Sequence, residues 1–148
     1  MRKFLGMLMI SLAMFLTGCQ TLEDASNSLN YVSEAKNYID DLNQFANELP
    51  TITEAAVADV NSKVQLEELL NDMQSQIEAF NVLDAPSMLE DIHTQIVDQN
   101  KNLIHDIEVY LENIKAGTLS SELLTDIGLL EEVSVYNDLL NQLIEINE

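Results

Sequence analysis

Apolar residues recur at intervals of three and four along most of the chain, with polar residues between them. The first such series is Leu29, Val32, Ala35, Ile39, Leu42, Ala46 and Leu49, which lie on one face of a helix. That helix is predicted to start near Ser26 or Ser28 and to stop before Pro50, because the residue preceding a proline disfavours helical backbone. Thr51 with Glu54 has the spacing of a capping box and predicts a new helical segment. Ser62 with Gln65 predicts a break or restart near Asn61. The apolar series then resumes through Leu66, Leu69, Leu70, Met73, Ile77 and Phe80. Residues 81–86 read as a turn, with Asp84 capping the next helix and Pro86 inside its first turn.

The following helix has the clearest pattern. Leu89, Ile92, Ile96, Leu103, Ile107, Tyr110 and Ile114 keep the three-four spacing, and Gln99 fills the gap. Gln99 is either a polar core residue that fixes register or the lining of a small pocket. Lys115 and Gly117 predict the stop. Ser120 or Ser121 then caps a segment carrying Leu123, Leu124, Ile127 and Leu130. After Gly128 a final helix uses Val133 or Val135, Leu139, Leu140, Leu143, Ile144 and Ile146. Each helix has one apolar stripe and one acidic face, so none is stable alone. Packing the stripes together predicts an all-α fold, an antiparallel bundle of about four amphipathic helices following a cleaved N-terminal signal helix. An extended three-helix array, or a dimer that completes the core between chains, is the competing arrangement.

The start of the chain reads differently. Arg2 and Lys3 precede an apolar run from Phe4 to Leu16, and Thr17, Gly18 and Cys19 follow. The run suits a signal sequence but falls short of the roughly 20 residues that a membrane span needs. Leu16-Thr17-Gly18-Cys19 is similar to the lipobox of bacterial lipoproteins. That resemblance implies cleavage before Cys19 and a diacylglycerol thioether on its sulfur. A plain secretory signal would leave Cys19 unexplained: it is the only cysteine, so no internal disulfide can form. Buried acyl chains contribute roughly 0.8 kcal/mol per CH2, so two or three of them give a durable anchor. The expected organisation is a signal peptide over 1–18, the lipidated cysteine and a polar tether over 19–28, and a helical domain over 29–148. The expected location is the extracytoplasmic side of the cell membrane, held there through lipid on Cys19.

Charge narrows the choice of partners. The chain carries 26 acidic and 6 basic residues. Loss of Arg2 and Lys3 with the signal leaves four bases against 26 acids, a net charge of −22. Nucleic acid is excluded, because its binding rests on Lys and Arg neutralising phosphates. Anionic headgroups are equally poor partners, so the body is expected to stand off the bilayer. A basic partner or divalent cations would relieve the self-repulsion; the alternative reading of the charge is simple adaptation to an alkaline or salty habitat.

Few residues suggest chemistry. Glu90 and His93 have the Glu-x-x-His spacing of di-iron carboxylate bundles, but His105 has Asn102 three residues before it, so the second copy is missing. His93 is expected at the polar boundary of the core. Acidic pairs such as Asp40-Asp41 and Glu90-Asp91 diverge around the helix and offer at most one ligand each to a cation. Tyr31, Tyr38 and Phe45 recur every seven residues and are expected to widen the buried face of the first helix; exposed, they would form a ledge for a partner. Five identities link the eight residues from Tyr38 with the eight from Tyr136, too few to define a repeat. No nucleophile motif, phosphate loop or cofactor fingerprint occurs. The expectation is therefore a protein that is not an enzyme, with no cofactor and no metal.

The stretches Leu29-Asn-Tyr-Val-Ser-Glu-Ala-Lys-Asn-Tyr-Ile39, Phe80-Asn-Val-Leu-Asp-Ala-Pro86 and Glu90-Asp-Ile-His-Thr-Gln-Ile-Val-Asp-Gln-Asn100, with the lipobox, carry a wider resemblance. The chain resembles a family of small lipoproteins from spore-forming Gram-positive bacteria, classed as a domain of unknown function. The resemblance implies the outer face of the cytoplasmic membrane and supplies no activity. The leading expectation is an interaction or modulatory module with an envelope protein partner. A lipoprotein that binds a small ligand or divalent cation, or a structural homo-oligomer, are the alternatives.

Overall fold

A computed structural model of the chain describes residues 19–123 and 129–147, with side chains placed over 26–123 and 133–146. Four helices account for nearly all of it: α1 Cys19–Ala58, α2 Val60–Asn81, α3 Glu90–Ala116 and α4 Leu129–Asn147. Among the described residues there is no strand. α1 packs against α2 and α4, and α3 packs against the same two helices. The result is a ring of four with antiparallel neighbours, in which α1 and α3 run parallel across the diagonal. The four stripes meet in one core, so the extended three-helix array does not form. The signal sequence, with Leu16, Thr17 and Gly18, lies outside the described residues, as do Leu124 and Ile127.

α1 corrects three expectations. Residues 19–28, expected as an aperiodic tether, are helical. Pro50 does not end the helix but lies inside it. An interior proline removes one backbone hydrogen bond and costs about 3 kcal/mol. Buried neighbours on both sides offset that cost: Leu49, Thr53 and Ala56 are fully enclosed. Thr51 and Glu54 consequently start nothing. The buried face is also rotated from the expected one. Tyr31, Ala35, Tyr38, Ile39, Leu42, Phe45 and Leu49 form it, while Leu29 is 62% exposed and Val32 and Ala46 are only half-buried.

The break between α1 and α2 falls at Asp59, two residues before Asn61. Its backbone is extended (φ −130°, ψ 132°), and its carboxylate accepts from the Ser62 amide at 2.8 Å and the Ser62 hydroxyl at 3.0 Å. These bonds satisfy orphan donors of the first turn and hold the Asp59 carboxyl below its ordinary range. α3 begins at Glu90 and not near Asp84. Residues 83–89 instead form a loop closed by the Leu89 amide donating to the Pro86 carbonyl at 2.8 Å, with Leu89 driven into the core. Glu90 and Asp91 place negative charge in the first turn of α3, where the helix dipole favours it. The stop at Gly117 is as expected: φ is +71°, and its amide caps Asn113 and Ile114. In α4 the inward valine is Val133; Val135, Ile144 and Ile146 face solvent.

Candidate functional site

One polar residue from each helix meets at Asn100 in the interior. Asn100 of α3 is fully enclosed. Its Oδ1 accepts from the Tyr38 hydroxyl of α1 at 2.5 Å and from the Tyr136 hydroxyl of α4 at 2.8 Å. Its Nδ2 donates to Oδ1 of Asn81, the last residue of α2, at 2.6 Å. A carbonyl oxygen has two lone pairs, and both are used here. Tyr38 stacks on Phe80 with ring centroids 4.4 Å apart and meets Tyr136 edge-on at 6.2 Å. Burial pushes the Tyr38 hydroxyl well above the ordinary tyrosine range, so it keeps its proton and donates.

The residue expected here was Gln99. It is half-buried, and the true stripe runs Ile92, Ile96, Asn100, Leu103. Steps of four-three and three-four both fit a helix, so the spacing alone does not choose between adjacent amides. The signal that would have chosen is the pairing of Tyr38 with Tyr136 in the short echo noted above. These two tyrosines occupy its matching first positions and converge on one oxygen. Nearby, Asn43 and Asn137 exchange amide hydrogen bonds at 3.0 and 3.1 Å.

Two lesser contacts continue the α1–α3 diagonal. The Tyr31 hydroxyl lies 2.8 Å from Nδ1 of His93, whose ring meets those of Tyr31 and Phe80 at 5.7 and 5.4 Å. Burial lowers the His93 pKa and so favours the neutral ring, whose tautomer sets the direction of the bond with the tyrosine. His93 is thus half-buried at the core boundary, as its position beside the stripe predicts. At the other end Tyr110 donates to Thr53 Oγ1 at 3.3 Å. Tyr31, Tyr38 and Phe45 are all buried and do widen the core face of α1.

The remaining candidates are dispersed. Cys19 is the first residue of α1; its side chain is outside those described. Asp40, Asp41, Glu90 and Asp91 are exposed, and among the described residues no three His, Cys, Asp or Glu side chains gather as metal ligands would. Among the same residues no helix is long and apolar enough to cross a membrane.

A family model for a family of unknown function, DUF6376, matches residues 31–146. The chain belongs to this family. The match opens at Tyr31 and covers every member of the interior polar cluster. The chain is also 31% identical over 131 residues to a Bacillus subtilis (strain 168) protein named as the uncharacterized lipoprotein YybP, with 88% of each chain covered. No solved structure matches.

Proposed function

We propose that the protein is a lipoprotein held on the extracytoplasmic face of the cell membrane by a diacylglycerol thioether on Cys19, and that its bundle is an interaction or modulatory module rather than an enzyme. The carrying observation is Leu16-Thr17-Gly18-Cys19 after an apolar run, in a chain whose Bacillus relative bears the name lipoprotein. The bundle supports the second half. The Asn100 oxygen, with both lone pairs taken inside the fold, is a structural joint, while a dense acidic surface faces outward.

The test of the anchor is Cys19→Ser. The parent protein incorporates labelled palmitate and fractionates with membranes; the variant takes up no label, keeps its signal and migrates more slowly. Unchanged labelling and fractionation would overturn the anchor.

A further inference from the structure

The outer side of the α1–α2 pair carries a continuous trough. Three clefts follow one another along it, the largest about 440 Å3, and adjacent clefts share lining residues: Glu34 joins the first to the second, and Asp41 with Gln76 joins the second to the third. The trough runs from the 84–88 loop past the stacked Tyr38–Phe80 pair to Phe45 and Met73, which with Leu83 and Leu69 form an apolar floor. Every charged side chain among the described lining residues is a carboxylate: Glu34, Asp41 and Glu48 from α1, Asp72 from α2, and Asp84 from the loop. All five are exposed.

The α1 carboxylates stand seven residues apart. At 1.5 Å of rise per residue they form a rail with one charge about every 10 Å, on one face of one helix. Gln44 donates to Glu48 at 2.8 Å and holds the end of that rail in place. A partner helix laid in the trough repeats its side chains with the same heptad period, so lysines or arginines seven residues apart would face Glu34, Asp41 and Glu48 together. An extended peptide has period two and does not match the rail residue for residue. Anionic lipid and nucleic acid carry the wrong sign.

We infer that the α1–α2 trough is a docking surface for a cationic amphipathic helix of a partner protein, with basic residues at heptad spacing meeting Glu34, Asp41 and Glu48. The inference deepens the interaction-module reading but does not depend on acylation of Cys19. Because the floor residues Tyr38, Phe45, Phe80 and Met73 are already buried, most of the attraction is electrostatic, and it weakens as salt shortens the screening length.

The probe is a synthetic helix of about 21 residues with lysine at every seventh position and a leucine stripe beside it. The control peptide has the same composition with the lysines redistributed around the helix. Binding is measured by fluorescence anisotropy on the full lipidated protein in neutral detergent, across a salt series. The spaced peptide should bind about tenfold more tightly than the redistributed one. Glu34→Gln/Asp41→Asn/Glu48→Gln should remove that advantage, while Asp91→Asn/Glu108→Gln/Glu112→Gln, an equal charge change on α3, should leave it intact. Circular dichroism confirms that both variants stay folded. Equal binding of the two peptides, no binding of either, or equal losses in the two variants would each overturn the trough. The Cys19→Ser result is independent of these outcomes, so failure of the anchor and failure of the trough are told apart.

Discussion

α1 carries two heptad rows three residues out of step, and they differ in fate. Tyr31, Tyr38 and Phe45 face the core, where their rings are buried and the two tyrosine hydroxyls find His93 and Asn100. Glu34, Asp41 and Glu48 line the outer trough and stay in water. In the buried row an unmade hydrogen bond carries its full desolvation penalty. In the exposed row each charge is screened, and little stability rests on it. The comparison assigns stability to one row and recognition to the other, although the spacing along the sequence is the same.

The largest effect should come from the joint that ties the buried row to the other helices. Asn100→Leu removes the oxygen that accepts from both the Tyr38 and the Tyr136 hydroxyl. At about 1 kcal/mol for each lost hydrogen bond, the loss should lower Tm by on the order of 10 °C. An unchanged melting curve would mean that the four-helix convergence contributes little. Tyr136→Phe removes one of the two donors and leaves Asn100 paired with Tyr38, so about 1 kcal/mol should be lost in urea titration. Combining it with Tyr38→Phe should give a non-additive result, because the two hydroxyls share one oxygen.

His93 gives a smaller effect that depends on pH. Its pKa in the folded chain lies below the ordinary 6.5 because burial disfavours the charged ring. The unfolded chain therefore takes up the proton first as pH falls. The stability that neutral His93 contributes is fully present above pH 6.5 and is lost as pH drops from there toward the folded pKa. His93→Asn should flatten that part of the stability profile, and an identical slope in both proteins would contradict the assignment. The smallest effect belongs to the outer row: Glu34→Gln/Asp41→Asn/Glu48→Gln should shift stability by no more than about 0.5 kcal/mol per site.

Much of this fold is legible in the sequence, for reasons that also explain the errors. In α3 the apolar stripe is legible because its three-four spacing is interrupted by only one polar position, and the stop because Gly117, with Lys115 beside it, marks it; the start at Glu90 is not. Pro50 misleads because the rule for proline is local, whereas Leu49, Thr53 and Ala56 hold the helix from the core. Leu29 misleads in the opposite sense: it fits the three-four spacing of α1, yet it is exposed because the buried face at this end runs through Ser28 and Tyr31. The choice of Asn100 over Gln99 lies in hydroxyls on two other helices, 62 and 36 residues away. The acidic rail was hidden by abundance, since 26 acids make any one spacing easy to overlook until the trough picks out three of them.

The division of labour between buried joint and outer row is tested most directly by measuring spaced-peptide affinity and urea stability side by side on Tyr136→Phe and Asp41→Asn. Tyr136→Phe, outside the trough, should lose stability and bind as the parent does; Asp41→Asn should keep its stability and bind more weakly. The reverse pattern, or both properties falling together in either variant, would contradict it.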